Sequence, residues 1–131
     1  MTLKLSRKSQ ARSRLIKNLT SSLILYGQIK TTLPKAKATK QDAQRVISRA
    51  QTTKDVVALN RFLRNDLYGG AIKKLPEIAS QIKSVSVLKL DTRFGDGSQE
   101  ALVILNLDEA KLQPATQGTK KEVKKAAKGT K

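Results

Sequence analysis

Apolar positions in the first part of the chain recur at helical spacing. Leu15, Ile16, Leu19, Leu23 and Tyr26 fall within one sector of about 100° when the chain is wound at about 100° per residue. Arg14, Lys17, Asn18 and Ser21 fall opposite, with Arg7 if the helix extends back. This predicts a helix over 9–26, ended by Gly27. The pattern then shortens to alternation in Gln28-Ile29-Lys30-Thr31-Thr32-Leu33, which predicts a short strand. Pro34 suits the first helical position, because its φ is preset and its missing N–H is not needed there. The second helix should run to about Gln51. Ala36, Ala43, Val46, Ile47 and Ala50 face inward in it, and Lys37, Gln41, Arg45 and Arg49 face outward at steps of four.

Thr52 to Asp55 matches a capping box, Thr52 as N-cap and Asp55 at N3. It opens a third helix over about 53–66 that buries Val56, Leu59, Phe62 and Leu63. Gly69-Gly70 breaks that helix. A further helical stretch over about 71–82, interrupted or restarted at Pro76, offers Ile72, Leu75, Ile78, Ala79 and Ile82 to a core. From residue 84 the period changes. Ser84 to Thr92 is rich in Val and Leu, and Ala101 to Leu105 is continuously apolar, as in a central strand covered on both faces. Asp96-Gly97 between them marks a hairpin. The expected fold is α+β: a small mixed sheet, from a strand near 28–33 and a hairpin over 84–107, packed against three to four helices.

Composition adds the partner class. The 131 residues hold 27 Lys and Arg against 10 Asp and Glu, a net charge of +17, with no His, Cys or Trp. Disulfides, zinc ribbons, thiol catalysis and the Ser-His-Asp triad are thereby excluded. No run approaches the ~20 apolar residues of a membrane span. The charge is uneven. Residues 1–54 hold 13 bases and 1 acid, residues 55–112 hold 8 of each, and residues 113–131 hold 6 bases and 1 acid. The ends therefore carry +12 and +5 around a neutral middle. We expect a basic arm over 1–8, one domain over 9–112, and a disordered Lys/Ala-rich tail over 113–131. The acid-free, Ser- and Arg-rich start also mimics an organelle transit peptide, and an RNA-binding arm explains the same composition.

Such an excess of positive charge calls for a polyanion, nucleic acid first and an anionic membrane second. The candidate phosphate donors begin with Lys4, Arg7, Lys8, Arg12, Arg14 and Lys17 and continue through Lys30, Lys35, Lys37 and Lys40 to Arg45 and Arg49. Arg adds a planar fork that matches two phosphate oxygens. Thr31 and Thr32 offer hydroxyls beside Lys30, although β-propensity alone explains them. The later acids, Asp91, Asp96, Glu100, Asp108 and Glu109, have no metal-ligand pattern and sit where turns favour Asp. Gly95 and Gly97 read as turn glycines. Tyr26 and Phe62 stand at core spacing, which leaves Tyr68 and Phe94 as the aromatics open to solvent. A base-stacking reader is therefore disfavoured against structured RNA recognised by backbone and shape. The other classes weighed are a DNA- or RNA-binding architectural protein, and a nucleic-acid enzyme for which no catalytic cluster is evident in the sequence.

Arg14-Leu15-Ile16-Lys17-Asn18-Leu19, Leu23-Ile24 and Ile29-Lys30-Thr31-Thr32-Leu33-Pro34-Lys35-Ala36-Lys37 resemble the family of bacterial large-subunit ribosomal protein L seventeen. Arg93-Phe94-Gly95-Asp96 resembles that family's Arg-x-Gly-Asp before its last strand. The likeness spans about residues 7–107. Departures include a shortened arm, Ser13 where His is common, Lys40 where Arg is common, and Lys83-Ser84-Val85-Ser86 in place of Gly-Tyr-Thr-Arg. The resemblance implies a structural, non-enzymatic component of the large ribosomal subunit, without cofactor or small-molecule substrate. It implies binding to large-subunit (23S) ribosomal RNA through the basic first third, including Asn18, Thr31 and Thr32, and through Arg93. It further implies a monomer within the particle, beside proteins of the L thirty-two and L twenty-two types and away from membranes. The place is then a ribosome in the cytoplasm, or in an organelle.

Overall fold

The computed structural model describes residues 3–108; the expected tail over 113–131 lies outside them. The elements in chain order are α1 (Ser9–Tyr26), β1 (Gln28–Thr32), α2 (Leu33–Thr52), α3 (Val56–Asp66), α4 (Gly70–Ile78), a 3-10 turn (Ala79–Gln81), β2 (Ile82–Thr92) and β3 (Gln99–Leu107). The sheet order is β1-β3-β2, and both pairings are antiparallel. The sheet is thus not mixed. With β2 and β3 joined by a hairpin and β1 added to the free side of β3, no parallel crossover arises.

The packed face of the sheet comes from alternation. Ala101, Val103 and Leu105 of β3 and Val85 of β2 are buried and join Leu23, Ile24, Ala36, Val46, Leu63 and Leu75 in one core. Leu102 and Ile104 point the other way and are only half-buried, so β3 is central but covered fully on one face. α2 packs as its sequence pattern predicts: Ala36, Ala43, Val46 and Ile47 are buried, and Lys37, Gln41, Arg45 and Arg49 are exposed.

Four local expectations are corrected. The buried stripe of α1 is Thr20, Ser21, Leu23 and Ile24, and Tyr26 is 76% exposed. The stripe is rotated because two of its hydroxyls find partners inside the fold. Thr20 donates to Asp42 at 3.1 Å, and Ser21 donates to the Lys17 carbonyl at 2.8 Å while accepting from the Tyr68 N–H at 2.8 Å. Hydropathy placed Ser21 outside; hydrogen bonding allows it inside. Second, there is no capping box. Thr52 ends α2, its hydroxyl donating to the Ser48 carbonyl, and Asp55 is itself the N-cap of α3, accepting from the Val57 N–H at 2.9 Å. With α3 starting at Val56, that residue sits on the open first turn and is 67% exposed. Third, Leu33 begins α2, which places Pro34 one position later than expected. Fourth, α4 runs through Pro76, which falls inside the helix, and Ile82 is the first residue of β2.

Candidate nucleic-acid interface

The basic residues of the first third divide by what holds them. The arm before α1 turns through Leu5 and Ser6, both at positive φ, with the Arg7 N–H bonded to the Lys4 carbonyl at 3.2 Å. Lys4, Arg7 and Lys8 are exposed on this arm. α1 then carries Arg12 and Arg14 along a groove shared with α2 and the end of α3. The groove holds two adjoining hollows of about 490 and 340 Å³, which share Ser13, Ile16, Asp42 and Arg45 as walls. Arg14, Lys17 and Tyr68 line the first hollow, and Arg12 and Gln41 the second. Lys37 stands on the same outward row of α2 as Gln41 and Arg45, four residues apart each time.

The floor of the groove is electrostatically closed. Arg45 reaches Asp42 at 2.8 Å and Asp66 at 3.1 Å, tying α2 to α3. The hydrogen bond that Arg45 donates to Asp66, then that to Asp42, raises the Arg45 pKa further above its ordinary value. Asp42 is the single acid among residues 1–54. Its carboxylate is taken up by Arg45 and the Thr20 hydroxyl. It therefore ties α1 and α2 together and is not available to the arm or to Arg12 and Arg14.

Five of the sequence-selected residues are engaged within the chain. Lys17 donates to the Arg64 carbonyl at 3.0 Å and lies over the Tyr68 ring at 4.2 Å. Arg49 stacks on Phe62 at 4.3 Å. Lys30 pairs with Glu100 at 2.6 Å on the sheet, away from the groove. Arg93 gives both arms of its fork to Asp96, at 2.9 and 2.5 Å. That contact, then the Ser98 N–H and hydroxyl, holds the Asp96 carboxyl far below the usual carboxylate range. Arg45 is the fifth. Lys4, Arg7, Lys8, Arg12, Arg14, Lys35, Lys37 and Lys40 have no carboxylate within ion-pair reach among the described residues. Asn18 is exposed on α1, and Thr31 and Thr32 are half-buried where β1 leads into α2.

Sequence reasoning missed the clamp of Asp42, Arg45 and Asp66. The i,i+3 spacing of Asp42 and Arg45 was its one local trace, since Asp66 arrives through tertiary packing. It also missed the exposure of Tyr26, which followed from the rotation of α1.

The model of the family described as ribosomal protein L17 matches residues 15–106. Relatives described as large ribosomal subunit protein bL17 cover most of the chain. The one from Coprothermobacter proteolyticus is 35% identical over 108 residues, 76% of this chain and 90% of its own length. Those from Methylacidiphilum infernorum and a Sulfurihydrogenibium species are both 36% identical, over 78% and 74% of this chain and 82% and 85% of their own lengths.

Proposed function

Because the chain belongs to the ribosomal protein L17 family, non-enzymatic structural components of the large ribosomal subunit, we propose that it binds and stabilises large-subunit ribosomal RNA through phosphate contacts. The contacts come from the arm (Lys4, Arg7, Lys8), from Arg12 and Arg14 beside the groove, and from Lys35, Lys37 and Lys40 of α2. One observation carries this reading: among the described residues these side chains are left without carboxylate partners, while the two acids of the groove, Asp42 and Asp66, are spent on Arg45. Arg and Lys on rigid helices present charge at fixed spacing to a phosphate backbone, which sets position without reading bases. Asn18, Thr31 and Thr32 supply neutral hydrogen bonds to the same backbone. Lys17, Lys30, Arg45, Arg49 and Arg93 act first within the fold and are secondary. Contact with neighbouring large-subunit proteins, of the types implied by the resemblance, belongs to the same reading.

Gentle lysis followed by sucrose-gradient sedimentation tests it. The protein should travel with the large subunit at low salt and leave it progressively as salt rises. Sedimentation apart from the large subunit at low salt would contradict the proposal. Retention on DNA in place of ribosomal particles would favour a non-ribosomal architectural role.

A further inference from the structure

The larger hollow of the groove holds chemistry that phosphate contacts leave unused. Its walls include Asn65, Asp66 and Tyr68, which come from the neutral middle of the chain. Arg45 pairs with the Asp66 carboxylate through Oδ1, and among the described residues Oδ2 accepts no hydrogen bond. The Asn65 amide and the Tyr68 hydroxyl likewise have no hydrogen-bond partner among the described residues. A free carboxylate oxygen, an amide and a phenol hydroxyl thus line one cavity of about 490 Å³. That volume lies within the range of about 300–1,000 Å³ in which proteins hold small ligands with a few polar groups.

These walls are fixed by the fold. Arg45 of α2 holds Asp66, and the Ser21 hydroxyl holds the Tyr68 N–H at 2.8 Å. Lys17 donates to the Arg64 carbonyl and covers a face of the Tyr68 ring. Polar groups held in place need little reordering when a ligand enters.

Charge and donor pattern decide the ligand. The charged walls of the two adjoining hollows are Arg12, Arg14, Lys17 and Arg45 against Asp42 and Asp66. Cations are in excess, so an RNA strand is drawn towards the groove. A phosphate set against Asp66 would meet like charge. A base edge is neutral and carries N–H donors, which a carboxylate accepts. Guanine sets two such donors, N1 and N2, side by side on its Watson–Crick edge, next to the acceptor O6. The donors suit Asp66, and O6 suits the Asn65 amide. With Lys17 on the Tyr68 ring, the ring serves as a wall and the base is read by its edge. We propose that this hollow receives one unpaired guanine of the bound RNA, with Asp66 accepting from its Watson–Crick edge and Arg12 and Arg14 holding the adjoining phosphates. The proposal rests on the RNA reading above and adds to it a single point of base recognition.

Photo-crosslinking and a one-atom-group change in the RNA test it. The full chain is bound to large-subunit RNA fragments in which 6-thioguanosine partly replaces guanosine, irradiated and digested with trypsin. An adduct to one nucleotide should appear in the tryptic segment 65–73, which holds Asn65, Asp66 and Tyr68. Inosine, which lacks the N2 amino group, is then placed at that nucleotide. The unaltered chain should bind the inosine RNA about tenfold more weakly than the guanosine RNA, the discrimination that a paired base contact supplies. Asp66→Asn should bind the two RNAs alike, with a salt dependence no shallower than that of the unaltered chain, because no phosphate donor is removed. Bound RNA without an adduct in segment 65–73 would overturn the proposal. So would equal affinity of the unaltered chain for the two RNAs, an outcome that does not depend on whether Asp66→Asn folds. A folded Asp66→Asn chain that still discriminates would overturn it too. Failure to bind any large-subunit RNA strikes the RNA reading itself and this site with it, so the two failures are distinguishable.

Discussion

Asp42 shows how one residue can serve the fold and the partner surface together. It stands alone as an acid among 13 bases in the first 54 residues, and it faces inward. Its carboxylate receives the hydroxyl of fully buried Thr20 and one arm of Arg45. Asp42→Ala removes the acceptor of a buried donor, which costs about 1–3 kcal/mol. Urea unfolding should register that loss, while RNA affinity is retained because no phosphate donor is removed. An unchanged midpoint would show that the clamp carries no stability. Arg93 gives the converse case. Its type and motif made it a candidate RNA contact, yet Asp96 occupies its fork, and a residue three positions away decides what it is free to do. Sequence types were legible here; the pairing of charges was not, because Asp66 meets Arg45 only after α2 and α3 pack.

At the scale of elements, α2 was readable because Ala36, Ala43, Val46 and Ile47 are buried and Lys37, Gln41, Arg45 and Arg49 exposed, so periodicity and burial agree at those positions; Thr39, buried with its hydroxyl donating to the Lys35 carbonyl, is the polar exception. α1 was readable in extent but not in rotation. Thr20 and Ser21 are polar by type and buried in fact, since hydrogen bonds within the fold take the place of water. The strands were legible from β-branched runs, whereas the order β1-β3-β2 depends on long-range pairing that no local signal encodes. Gly27 joins α1 to β1 at φ 79°, and its carbonyl accepts the Leu105 N–H at 2.9 Å, fixing the end of the helix to the sheet. Gly27→Ala meets no steric neighbour, so its cost is the backbone strain alone, about 1–2 kcal/mol. Thermal unfolding should show the corresponding drop. A gain in stability would mean that the left-handed turn is not required.

The whole molecule separates its charges by place. A neutral sheet face and a neutral middle of the chain support a cationic arm and helical groove, and the two acids of that groove, Asp42 and Asp66, are consumed internally by Arg45. The +12 of the first 54 residues was visible from composition. Which of those charges remain available emerged from geometry: among the described residues, eight side chains from Lys4 to Lys40 have no carboxylate partner. The central claim is that these cations neutralise RNA phosphates. Its most direct test is the salt dependence of binding to large-subunit RNA fragments. With about eight phosphates engaged, log affinity should fall against log salt with a slope of about −6 to −7. Replacing Arg12, Lys37 and Lys40 with Gln should make that slope shallower by about 2–3 units. A slope near zero for the wild-type chain, or an identical slope for the triple variant, would contradict the claim.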